Sequence, residues 1–316
     1  MKSNLDVRTN KVKNKRKKLT IDELQLYSLC AIPIMLVFVF NYLPMGGIII
    51  AFKNYKFDKG IMGSEWVGFR NMEFFLRSNE FTKLVRNTLC LNTLFIFVGI
   101  IAALSLAILL FQLKNHIAIK IFQTTLITPN FLSWVIVSYM AYALLNPSYG
   151  ILNSVLEFIG LKRIDWYNTP VAWPAILTTA SVWKYVGMDS VIYYAALMGI
   201  DSTLFEAADI DGASKWQKIQ NVILPSLIPL LSILTILKIG GIFNSDFGMY
   251  YQLTRDVGAL YNATDVVDTY VFRTMRVIGD MGMGSAIGLL QSLVGIVLVL
   301  ITNWASKKVD SEIGLF

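Results

Sequence analysis

Near-continuous apolar runs alternate along the chain with short polar connections. An apolar run of about twenty residues covers the ~30 Å hydrocarbon core of a bilayer at a helical rise of ~1.5 Å per residue. Windows of that kind fall near residues 24–52, 87–111, 119–145, 171–199, 222–243 and 284–305. The pattern predicts an all-α, polytopic integral membrane protein with six transmembrane helices. No internal repeat and no soluble domain of useful size interrupts it. The organisation expected is a basic tail over 1–23, a transmembrane domain over 24–306 and a short tail over 307–316.

One connection, EAADIDGASKWQKIQNVILP (206–225), is a long polar patch between two apolar stretches. Thr203 and Glu206 stand at the spacing of a capping box, which predicts a short helix starting there. Asp211-Gly212 predicts its end, because glycine tolerates the left-handed conformation that helix termini often need. Ser214 with Gln217 offers a second capping box. The expectation is therefore helix, glycine turn, helix, with Ala207, Ala208 and Ala213 leaving little side-chain bulk, so that another protein can approach the backbone closely. Pro225 and Pro229 mark the return to the membrane.

Composition agrees with a bilayer environment. The chain of 316 residues is 55% hydrophobic and 16% charged, and its mean hydropathy is +0.56, a balance that soluble domains rarely reach. The net charge of +7 is concentrated at the start, where Lys2, Arg8, Lys11, Lys13, Lys15, Arg16, Lys17 and Lys18 precede the first apolar run. That distribution argues against nucleic acid as a partner and for a cytoplasmic anchor. The run itself is too long for a signal-peptide core and lacks a small-residue cleavage site. With the N-terminus inside, Lys114, Ser214, Lys307 and the C-terminus are expected in the cytoplasm, and Lys59, Lys162 and Asp256 outside. Cys30 and Cys90 then fall at opposite membrane faces, which disfavours a disulfide.

Candidate chemistry is sparse. His116, the only histidine, lies in the polar connection QLKNHIAIK with no second His or Cys at metal-ligand spacing. No serine or cysteine has a recognisable base partner, and no G-x-x-x-x-G-K-[ST] loop is present to hold nucleotide phosphates. Ionisable residues at membrane depth carry more information, since they usually face a bundle interior or a watery cavity. Lys184 and Asp189 lie about 140° apart around a helix, so they do not form a pair on one face. Ser181, Lys184, Tyr185 and Met188 share one helical stripe, and Lys238 and Gly241 follow near the end of the fifth run. Aromatic faces with a few fixed donors suit a sugar path, although Tyr185 and Met188 taken singly are better read as ordinary helix packing.

The polar connection resembles the EAA loop of ABC-importer permeases, matching at Glu206, Ala207, Ala208, Asp211, Gly212, Ala213, Leu224 and Pro225. Ile219 and Val222 stand where that family commonly has Phe and Ile, and both keep an apolar face. The segments FNYLPMGGIIIAFKNY, GSEWVGFRN, RNTL, TPNFLSWVIV, DVVDTYVFR and GLLQSLVGIVLVLITN extend the resemblance to the permease subfamily associated with polysaccharide-derived sugars. Asn130 replaces a common His.

The resemblance implies a type I ABC importer permease fold in a bacterial cell membrane. It also implies that the EAA coupling loop, 201–221, docks in a cleft of a separate ATPase. Glu206 would contact the ATPase and Gly212 supply the turn. The partners implied are a second homologous permease, two cytoplasmic ATPase subunits, an extracellular solute-binding protein and an oligosaccharide. ATP and Mg would be used by the ATPase, with no cofactor on this chain. Sugar contacts would come from the helices flanking the loop. The alternatives are an ABC importer permease for a non-sugar solute and an ion-coupled secondary transporter using Asp189 and the two lysines, which usually shows inverted repeats.

Overall fold

The computed structural model describes residues 21–309. Residues 1–20 of the expected basic tail and 310–316 of the expected C-terminal tail lie outside the described residues. Two compact units divide between Ile48 and Ile49. In the first, helix α1 (Ile21–Val37) contains Pro33 and leads into a π-helical stretch over Phe38–Tyr42. Its side chains from Gln25 onward are almost all exposed, as expected of a lipid-facing helix.

The second unit opens with a two-residue antiparallel ladder, β1 (Lys53–Asn54) and β2 (Glu65–Trp66), in which Lys53 pairs with Trp66 and Asn54 with Glu65. Helix α2 (Asn79–Phe111) starts where the Ser78 hydroxyl accepts the Phe81 N–H at 3.3 Å. Helix α3 (His116–Ile127) is capped by Asn115, which accepts from Ile117 and Ala118. Helix α4 (Trp134–Leu145) follows a 3-10 turn at Thr128–Phe131. After it come α5 (Trp173–Met198), α6 (Ser202–Ile210), α7 (Leu224–Gly240), α8 (Phe247–Thr254) and α9 (Met281–Val309).

The predicted third span is broken. Between α3 and α4 the chain bends by 97°, because Pro129 offers no N–H to the helical ladder and the backbone is extended at Leu132 and Ser133 before α4 restarts. Among the described residues four helical stretches are long and apolar enough to cross a membrane, Gln25–Phe52, Asn79–Phe111, Lys215–Gly240 and Met281–Ala305, with the bent pair as a fifth. Helix α5 has the length of a span but carries Trp, Lys, Asp, Ser and Tyr side chains. It packs along α2, and Trp173, Lys184, Ser190 and Tyr193 are buried within the unit, while Trp183 stays exposed. The last helix runs to Val309, past the expected boundary at 306.

Small residues set the α2–α5 interface. Ala103 and Ala107 are fully buried against Tyr193 and Leu197. In lipid, where tails are as apolar as leucine, such close packing rather than water exclusion drives association. A second cluster joins Trp173 and Leu177 at the start of α5 to Tyr250, Leu253, Leu260 and Val266. Helix α5 therefore connects this cluster to the α6 end of the unit, roughly 39 Å away.

Candidate functional site: an exposed capped loop and two mended helix breaks

At the C-terminal end of α5, α6 and the segment after it form the helix, glycine turn and helix expected for 201–221. The cap differs from expectation. Asp201, not Thr203, is the N-cap, and its carboxylate accepts the Thr203 N–H at 2.9 Å. The backbone at Asp201 is extended, so α6 begins two residues earlier than the Thr203–Glu206 box requires, and a residue already inside a helix cannot cap it. The Thr203 N–H holds the Asp201 carboxyl below the usual carboxylate range.

At the other end Gly212 adopts φ +72°. The Gly212 N–H donates to Asp209 O at 3.1 Å and the Ala213 N–H to Ala208 O at 2.9 Å, the two bonds of a Schellman motif. Ser214 and Gln217 form the expected capping box. Lys218 reaches back to form an ion pair with Asp209, tying the two arms together.

Glu206, Ala207, Asp211 and Gly212 are exposed, while Ala208 and Ala213 are partly covered where the arms meet. Ile210 and Trp216, which sequence reasoning left aside, are 87% and 63% exposed. Two large apolar side chains standing out of a polar loop are what a protein cleft would bury. The signal was present in the sequence, as apolar residues at non-core positions of a capped short helix.

At the middle of α5 the structure answers what the membrane-embedded charges do. Leaving the helix at Pro129 strands backbone carbonyls at membrane depth, where each unsatisfied group is costly. Lys184 satisfies them. It is 4% exposed, and its ammonium donates to the carbonyls of Asn130 (3.0 Å), Pro129 (3.4 Å) and Leu132. Its three donors meet three acceptors. The Lys184 nitrogen also lies 5.2 Å from the Trp134 ring centroid and 5.7 Å from that of Tyr185. Lys184 thus supports the break, with its ammonium engaged by these three carbonyls. Gly187, one turn on, permits the approach, since a Cβ there would sit 1.9 Å from the Leu126 carbonyl oxygen.

A second break, Gly241–Asp246, separates α7 from α8 and is mended by side chains from other helices. Asn92 donates to Ile242 O at 2.6 Å, Gln291 to Phe243 O at 2.6 Å, and Asp268 accepts the Ser245 N–H at 2.8 Å. Asp246 joins the two breaks. One of its carboxylate oxygens accepts from Trp134 Nε1 and from the Tyr185 hydroxyl, each at 2.6 Å, while the other caps α8 through Met249 N–H at 3.3 Å. Lys238, for its part, pairs with Asp189 at 2.5 Å.

The predicted path residues, the stripe together with Lys238 and Gly241, are therefore divided. Lys184 and Tyr185 gather with Trp134 and Asp246, whereas Lys238 pairs elsewhere on α5. Ser181 is half-buried, Met188 is 47% exposed, and Gly241 closes α7 by donating to Leu237 O at 3.2 Å. Asp246 escaped the sequence reading because it looks like an ordinary cap. The hint was the Gly240-Gly241 pair ending an apolar run short of its polar flank. Among the described residues no three His, Cys, Asp or Glu side chains cluster as a metal site.

Known proteins place this architecture. The chain is 33% identical over 289 residues to the protein LplB of Bacillus subtilis, covering 91% of this chain and 90% of that one. It is 31% identical over 303 residues to the polygalacturonan/rhamnogalacturonan transport system permease protein YteP of the same organism, covering 95% and 94%. A crystal structure of a bacterial ABC transporter involved in the import of the acidic polysaccharide alginate contains a chain that superposes with a TM-score of 0.83 at 30% identity, covering 92% of this chain and 97% of that one. A second structure of such a transporter, in complex with alginate pentasaccharide-bound periplasmic protein, matches at 0.82. Residues 95–313 match the family described as the binding-protein-dependent transport system inner membrane component, and with α6 presented beside the mended bundle, the chain belongs to that family of ABC-transporter permeases.

Proposed function

We propose that this chain is the membrane subunit of an ATP-driven importer that takes an oligosaccharide from an extracellular solute-binding protein and releases it into the cytoplasm. The observation that carries the reading is α6. It is an exposed, capped helix held by a Schellman turn and an interarm ion pair, and it displays Ile210 at its end, with Trp216 exposed on the second arm beyond the turn. A rigid helix of that kind transmits a push from an ATPase into α5 and α7, the two helices it joins. The carbohydrate cargo is supported by relatives named for polygalacturonan, rhamnogalacturonan and alginate transport.

The cargo path in this reading runs past Ser181, Tyr185, Met188, Lys238 and Gly241, with Lys184 holding the bend that shapes it. A second permease completes the path, and two ATPase subunits consume ATP with Mg, while this chain performs no catalysis. Both termini and the coupling loop face the cytoplasm of a bacterial cell. The test is reconstitution of the full complex in proteoliposomes with its binding protein and radiolabelled trigalacturonate, the cargo the relatives' names point to. Uptake is expected only with ATP, and Cys substituted at Ser214 should react only with reagent from the ATPase side. Uptake driven by an ion gradient without ATP refutes the reading.

A further inference from the structure

At the end of the unit opposite α6, a recess opens between α4 and α8. Its polar and aromatic walls are Ser138, Tyr139, Tyr251, Gln252, Arg255 and Asp256. Resting on the oligosaccharide reading above, we infer that this recess is a carboxylate-recognition point for a uronic-acid residue of the cargo, with the Arg255 guanidinium as its anion-binding group.

The backbone is arranged to present that side chain. Arg255 and Asp256 take φ values of 55° and 50° and are the only non-glycine residues with positive φ among the described residues. Two such residues in succession are costly and persist only where their surroundings hold them. Asp256 is held by Arg273 at 2.9 Å and by the Tyr261 hydroxyl at 3.0 Å. Arg255 closes α8 by donating its N–H to Gln252 O at 3.2 Å, and its guanidinium lies 4.2 Å from the centroid of Tyr142.

The charges nearby differ in one respect. Arg273 is paired with both Asp256 and Asp265, and Arg163 with Glu157. Arg255 has no carboxylate partner among the described residues and is exposed. The contact with Tyr142 restrains the guanidinium, and a guanidinium free of a protein carboxylate can make a planar, two-point contact with one on a ligand. Tyr139, 66% exposed, offers a face for the apolar side of a pyranose ring. Ser138 and Gln252 supply hydroxyl and amide groups for sugar hydroxyls.

The experiment measures direct binding of fluorescently labelled trigalacturonate to the purified complex, without the binding protein, in parallel with its fully methyl-esterified form. The ester keeps the shape and removes the charge. Arg255→Gln is expected to weaken binding of the acid about tenfold, the loss of one charge-assisted contact, and to change binding of the ester less than about twofold. Because the ratio is read within one preparation, a lower yield of folded variant does not alter it. Tyr139→Ala should weaken acid and ester alike.

An unchanged acid-to-ester ratio in Arg255→Gln overturns the inference while the cargo reading stands. Loss of the second permease subunit from the Arg255→Gln complex, with the ratio unchanged, also overturns it and reassigns the recess to a subunit contact. If the parental complex binds neither trigalacturonate nor its ester, the oligosaccharide reading falls as well.

Discussion

Gly187→Ala puts a single methyl group where α5 crosses α3. The added Cβ would lie 1.9 Å from the Leu126 oxygen, 2.3 Å from its carbonyl carbon and 2.8 Å from the Ile127 nitrogen. All three are backbone atoms, so no side chain can swing aside. Ordinary contact needs about 3.5 Å, which requires the helices to part locally by roughly 1.5 Å. Overpacking of this severity costs about 3 kcal/mol, and the better helix propensity of alanine returns about 1 kcal/mol. The net expected loss is about 2 kcal/mol, or a fall of roughly 4–8 °C in apparent melting temperature.

The displacement also reaches function. Lys184 lies one turn from Gly187 and holds the carbonyls just before Trp134, which bonds Asp246. Gly99→Ala is the matched control, since nothing lies within 4 Å of a Cβ at that helical position. It should melt at or above the parental temperature. Thermal unfolding of the purified complexes, followed by monodispersity, provides the assay. If both glycine variants melt within a degree of the parent, the close approach at Gly187 is not what holds α3 against α5.

Three further outcomes are expected. Gly212→Val has free space for its side chain but must hold φ +72°, which costs about 1–2 kcal/mol; the complex should still assemble, with ATP hydrolysis uncoupled from transport, and normal cargo uptake would show that the turn does not couple. Removing one member of the Lys238–Asp189 pair, whose side chains are 34% and 27% exposed, should destabilise by about 1–2 kcal/mol after allowance for solvent screening, and the double variant Lys238→Ala/Asp189→Ala should be more stable than either single one; equal additive losses would deny the pairing. The Asp201 carboxyl is held below its ordinary value, so its capping is fully present above about pH 4 and is lost as pH falls through the lower folded value; hydrogen exchange at the first turn of α6 should quicken over that acidic window in the parent and not in Asp201→Asn, whose amide oxygen still caps.

What the sequence determined by itself are features whose causes are local. Apolar run lengths placed the helices, the basic cluster suggested an orientation, and Gly212 with Ser214 and Gln217 specified the turn and second cap of the 201–221 loop. Even there, the choice between Asp201 and Thr203 as N-cap depended on which residue left the helix first, a one-turn matter that composition does not decide.

Only the tertiary structure decided what the buried polar groups do. Hydropathy reads residues 119–145 as one span because a proline inside an apolar run looks tolerable, and whether the helix breaks depends on a distant donor able to satisfy the freed carbonyls. Lys184 is that donor, 52 residues beyond Leu132 in sequence. Asn92 and Gln291 play the same part for Gly241–Asp246 across 150 and 48 residues. In a medium without water, a backbone polar group must find its partner within the protein. The residue that answers it can come from any helix, so sequence spacing shows the charge and the three-dimensional packing shows its purpose.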